Sequence, residues 1–155
     1  MKTKREQLIG QLKAIQDQIG ALLESVADNQ DWQPEPGQWS FRYIAAHMAT
    51  VEKECHQARL VRLAAGGESP HFAPYFNTGR DFSQLALEDS LQAWAITRGE
   101  IFDFLDSLPE EKWSLSGTHA TFGPITILDI LQMMLDHDQE HLGELEALID
   151  LFKAS

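Results

Sequence analysis

The chain has 155 residues, 43% of them apolar and 23% charged, which is the make-up of one globular domain (1–155) and neither disordered nor collagen-like. Its 24 acidic residues outnumber 12 basic ones, and the net charge of −12 argues against nucleic acid or an anionic membrane surface as a partner. No apolar run approaches the roughly 18 residues of a membrane span; no secretory segment follows Met1, and the one cysteine, Cys55, excludes an internal disulfide, so a cytoplasmic location is expected.

Helical periodicity dominates from the start. Leu8, Leu12, Ile15, Ile19, Leu22 and Val26 recur at spacings of three and four, which predicts an amphipathic helix over about residues 3–27. The stretch Asp28 to Gly37 breaks it with turn residues. Ser40 is the expected N-cap of a second helix, with Ile44, His47, Met48, Val51, Cys55, Ala58 and Arg62 along it and Gly66-Gly67 as its stop. Residues 66–84 carry Pro70, Pro74, Asn77 and Gly79 among aromatics and read as a long loop packed by Phe72, Tyr75 and Phe76. A third helix is expected over about 86–107 on the stripe Leu87, Leu91, Trp94, Ile101 and Leu105. Residues 113–124 form another loop, and Thr126 caps a fourth helix with Ile127, Ile130, Leu131, Met134, Leu145, Leu148, Ile149 and Phe152 turned inward. No convincing strand alternation appears. The fold class is therefore all-α, a four-helix bundle with a connection long enough for a crossover.

Six histidines punctuate this frame: His47, His56, His71, His119, His137 and His141. His137 and His141 are four apart, so at about 100° per residue they share one face, and that face also holds Ile130, Met134, Leu145 and Leu148. Two imidazoles turned into a bundle need partners for their ring nitrogens, and one metal ion between them is such a partner. His47 lies among Ile44, Met48 and Val51 and also faces inward. His56 is nine residues further, which on an α-helix is the opposite side, so it reads as partly exposed beside Lys53 and Gln57. His71 and His119 fall in loops.

Other polar residues sit near these faces. Arg98 interrupts the third helix's apolar stripe and either anchors a substrate anion or pairs internally, with Glu54 or Glu144 as the acids considered. Glu54 and Glu144 each lie seven residues after a histidine of interest, two turns along the same face. Each could orient an imidazole, act as a base or reach solvent. Asp138 points about 100° away from His137 and is read as a hydrogen-bond acceptor, not a ligand of the same ion. Cys55 reads as a small buried hydrophobe, and Met133 and Met134 as packing.

Trp39-Ser40 ahead of His47, Gly123-Pro-Ile-Thr126 opening the last helix and His137-Asp138-x-x-His141-x-Gly143-Glu144 within it together resemble the DinB-like (DinB/YfiT-like) superfamily over nearly the whole chain. The resemblance implies a four-helix bundle with a long crossover and a divalent metal, zinc or nickel, on His47, His137 and His141. It also implies a small-molecule substrate, a low-molecular-weight thiol as cosubstrate, and a homodimer. The departure is Glu144, where the family often has Gln. The function so implied is metal-dependent thiol S-transfer to a small electrophile, with metal-dependent hydrolysis or non-catalytic metal binding in a stress response as the alternatives. Three neutral imidazoles suit zinc, nickel, copper or iron better than calcium or magnesium, and leave coordination positions open.

Overall fold

A computed structural model describes residues 1–155, and no helix in it is long and apolar enough to cross a membrane. Helix α1 (Lys4–Ser25) starts at a capping box, in which the Thr3 hydroxyl accepts from Glu6 N–H and the Glu6 carboxylate accepts from Thr3 N–H. It buries Leu8, Leu12, Ile15, Ile19 and Leu23. Ser40 caps α2 (Phe41–Val51) by accepting from Tyr43 N–H at 3.2 Å, as expected. The chain then passes through one π-helical turn (Glu52–Gln57) into α3 (Ala58–Ala64), so residues 41–64 form one rod with a wide turn in the middle. Gly66 follows with φ 77°, the left-handed conformation that stops a helix. Helices α4 (Leu87–Asp106) and α5 (Ile127–Ala154) complete the bundle, and Thr126 and Asp129 form a second capping box at the head of α5.

The main packing pairs are α2 against α4 and α1 against α5. Their facing stripes merge into one core that includes Leu12, Ile19, Phe41, Ile44, Trp94, Ile101, Met134 and Leu145. One expectation is corrected: the chain has strands. β1 (His71–Phe72), β2 (Ser116–His119) and β3 (Gly123–Thr126) form a sheet in that order, β1 parallel to β2 and β2 antiparallel to β3. The strands are two to four residues long, too short for alternation to be visible in sequence, and they form because two distant loops meet. The sheet ties the crossover segment between α3 and α4 to the hairpin that precedes α5. Its close approach needs Gly117, where a Cβ would stand 2.7 Å from Phe72 Cε2 and 2.9 Å from Pro70 O.

Candidate metal centre

His47 projects from α2, and His137 and His141 project from α5, each from the face predicted. Their Nε2 atoms converge: His47 to His141 is 3.1 Å and His47 to His137 is 3.4 Å. Two nitrogens sharing a tetrahedral ion at about 2.0–2.1 Å lie about 3.3 Å apart. One ligand atom from each residue fits within 4.8 Å of the others, and this trio could hold a metal ion.

The far side of each ring explains why the near side is free. His47 Nδ1–H donates to Asn77 Oδ1 at 2.7 Å. Asn77 cannot be turned over, because its Nδ2 donates to Thr50 Oγ1, which in turn donates to the carbonyl of Ala46. His141 Nδ1 faces Glu144 Oε2 at 3.0 Å, and His137 Nδ1 faces Asp138 Oδ1 at 3.3 Å. With a proton held on each Nδ1, all three Nε2 lone pairs point at one place, which is the tautomer a metal requires. Burial first, then the neighbouring His141, pushes the His47 imidazole down to about 4. Burial and His137 lower that of His141 against the pull of Glu144. Both rings are thus neutral near pH 7, the ligating form. Trp39 shields them, tilted on His47 and stacked on His141 with centroids 4.8 and 5.9 Å away.

The centre opens into a cavity of about 520 Å³ lined by the triad, Trp39, Met133, Glu140 and residues of the crossover and hairpin. The other residues singled out from sequence fall in different places. Arg98 does not line this cavity. Its guanidinium is fully buried and donates to Glu52 and to Asp138 Oδ2 at 2.9 Å, not to Glu54 or Glu144. Trp94 Nε1 donates to the same Glu52 oxygen at 2.8 Å. Arg98 therefore acts on the centre through Asp138, which it holds behind His137. Glu54 likewise stays off the cavity wall: it accepts from Tyr75 and Arg80, and so pins the crossover segment that carries Asn77. Glu144 stands behind His141.

His56 departs from its expected exposed position. It is 6% exposed, lines the cavity, and its ring centroid is 5.2 Å from that of His137. The π-turn is the reason: it accommodates one extra residue and so takes back about 100° of rotation, moving His56 from the far side to the cavity side. Glu52 and Asn77 were not singled out as site residues by sequence reading. Glu52 carried a weak signal as one of three charges around Cys55, while Asn77 lies in an aperiodic loop and had none.

The family model of the DinB superfamily matches residues 11–145. No curated protein sequence is detectably similar. Among solved structures the chain is similar to YfiT from Bacillus subtilis, at 20% identity over 96% of this chain and 88% of that one, with a TM-score of 0.76. YfiT is described as a probable metal-dependent hydrolase with an unusual four-helix bundle topology, and the likeness shows the shared fold.

Proposed function

The chain belongs to the DinB superfamily, and from that premise we propose that it is a metal-dependent enzyme that transfers a thiol to a small electrophile. The observation that carries the reading is the set of three Nε2 atoms, each freed by an oxygen behind its ring, at the wall of an open cavity. His47, His137 and His141 would hold a divalent ion, zinc or nickel by donor type. Bound there, such an ion supplies Lewis acidity and stabilises the anionic form of a nucleophile.

The chain's own residues supply positioning. Asn77, Asp138 and Glu144 fix the rings, Arg98 and Glu52 fix Asp138, and Trp39 covers two rings. The oxygens that orient the imidazoles stand behind them, and the carboxylates among them, Asp138 and Glu144, do not line the cavity. A thiol, with an ordinary pKa near 8.5, loses its proton to water without a protein base. A sulfur–carbon bond then forms while the leaving group departs with its electron pair. Hydrolysis is the second reading. It is favoured by the description of YfiT and by Glu140, a carboxylate on the cavity wall that could take a proton from water.

Elemental analysis followed by turnover assays tests both. Wild type is expected to hold about one divalent ion per chain and His141→Ala far less. Chelator-sensitive loss of free thiol with chlorodinitrobenzene supports transfer. Chelator-sensitive ester cleavage without thiol supports hydrolysis instead. Wild type that takes up no stoichiometric metal would overturn both.

A further inference from the structure

Beyond the triad, the cavity has a second chemical character that bears on what it binds. Four of the six arginines, Arg5, Arg42, Arg80 and Arg98, pair with carboxylates. Arg59 makes no ion pair, although acidic residues outnumber basic ones 24 to 12. It is half-buried on the cavity wall, and its one hydrogen bond, from Nη2 to the carbonyl of Ala73 at 2.8 Å, leaves its other donors uncommitted. An unpaired guanidinium on a cavity wall is a ready partner for an anion.

His119 lines the same cavity as Arg59. Its Nδ1 accepts the backbone N–H groups of Thr121 and Phe122 at 3.0 and 3.3 Å. A nitrogen that accepts cannot carry the proton, so the proton is on Nε2. Burial, then Arg59, lowers the pKa of this ring, in keeping with the neutral form. The ring is 4% exposed and its Nε2 has no protein partner, yet the only sealed side-chain polar atoms without partners are Glu52 Oε1 and His56 Nδ1. The Nε2–H of His119 therefore reaches open space, and the space its ring lines is this cavity.

A third observation is independent of charge. Phe76 and Phe122 are 80% and 65% exposed, and both line the cavity. They come from different loops, the crossover and the hairpin. The other six phenylalanines are buried or partly buried. Aromatic rings left in water at the edge of a cavity are contact surface for a ligand.

We infer that Arg59 and His119 form an anion subsite, that Phe76 and Phe122 clamp an apolar body, and that the substrate is an aromatic or alkyl molecule bearing a carboxylate. This deepens the metal-dependent reading and rests on it only for where the reaction occurs, because the subsite shares no residue with the triad. Glu140, which also lines the cavity, would disfavour a second negative charge on the ligand.

Titration of the metal-free full chain with benzoate and with benzyl alcohol, followed by amide chemical shifts, tests the subsite without interference from a metal that would itself bind carboxylate. Benzoate is expected to bind about tenfold more tightly than benzyl alcohol, as a charge-assisted bidentate contact allows. Arg59→Gln should abolish that preference and Arg59→Lys should keep part of it. Phe122→Ala should weaken both ligands and leave their ratio unchanged. Loosening of the crossover segment alone would weaken both ligands together, so the ratio isolates the anion contact. Equal affinities in wild type, or an unchanged ratio in Arg59→Gln, would overturn the inference. Metal content decides the other question separately: Arg59→Gln should load metal as wild type does, and a wild type without metal would sink the metal reading while leaving the benzoate result standing.

Discussion

Replacing Arg98 with Met probes how the buried charge network supports the centre. Arg98 makes four hydrogen bonds: two to Glu52, one to Asp138 and one to the carbonyl of Leu12. The carboxylates of Glu52 and Asp138 are 1% and 0% exposed, so removing the cation strands two negative charges in the core. Breaking such a pair costs about 3–5 kcal/mol, a third or more of the roughly 5–15 kcal/mol that stabilises a domain. In wild type, burial alone would raise the Glu52 carboxyl, but His56, 3.6 Å away, and Arg98 outweigh it and hold it at about 2. Its contribution is thus complete above pH 4.5 and is lost only as the pH falls towards 2. In Arg98→Met the buried Glu52 carboxyl loses the guanidinium that held it down and moves up, so acid relieves the variant before it harms wild type. Urea unfolding of the metal-free proteins should show a difference of about 3–5 kcal/mol at pH 7 that narrows at pH 5. A difference under about 1 kcal/mol at pH 7, or one that does not narrow in acid, would refute the reasoning.

The metal-free protein should lose stability between pH 6.5 and about 4, because unfolded His47 takes up a proton that the folded ring resists. The share from this group is about 2–3 kcal/mol, readable as a fall in the urea midpoint, and a flat profile across that window would contradict neutral burial. Gly117→Ala should lower stability by about 1–3 kcal/mol, because its Cβ would push Phe72 and the Pro70 carbonyl apart; a melting temperature equal to wild type would show that the sheet can yield. Cys55 is buried, and burial pushes its thiol pKa up, so it should react with Ellman's reagent about 100-fold more slowly than a free thiol until denaturant is added. Cys55→Ala should leave any thiol transfer intact, and its loss would make Cys55 a participant.

What was legible in the sequence followed from helical periodicity and capping chemistry. Ser40 and Thr126 announced their helices because a hydroxyl before an amphipathic run has one good use. His47, His137 and His141 could be placed on inward faces for the same reason. Three features were out of reach, two because they depend on residues far apart in the chain and one because of an irregular turn. Asn77 orients His47 across 30 residues, and only the folded crossover brings it there. Arg98 chose Glu52 and Asp138 over the acids nearest the expected faces, since helix rotation about its own axis decides which carboxylate meets it. His56 was misplaced by treating residues 41–64 as uniform α-helix.

That wide turn has a genetic consequence. One residue within 52–57 is surplus to the α-helical ladder, so a single-codon deletion there would restore regular hydrogen bonding and leave residues 58–64 on the faces they occupy now. Leu60 and Leu63 would keep the core they now fill, and Arg59 would keep the cavity wall. An alignment with a relative lacking the turn should open its gap here, and histidines or arginines downstream of that gap would then serve the same walls in the two proteins.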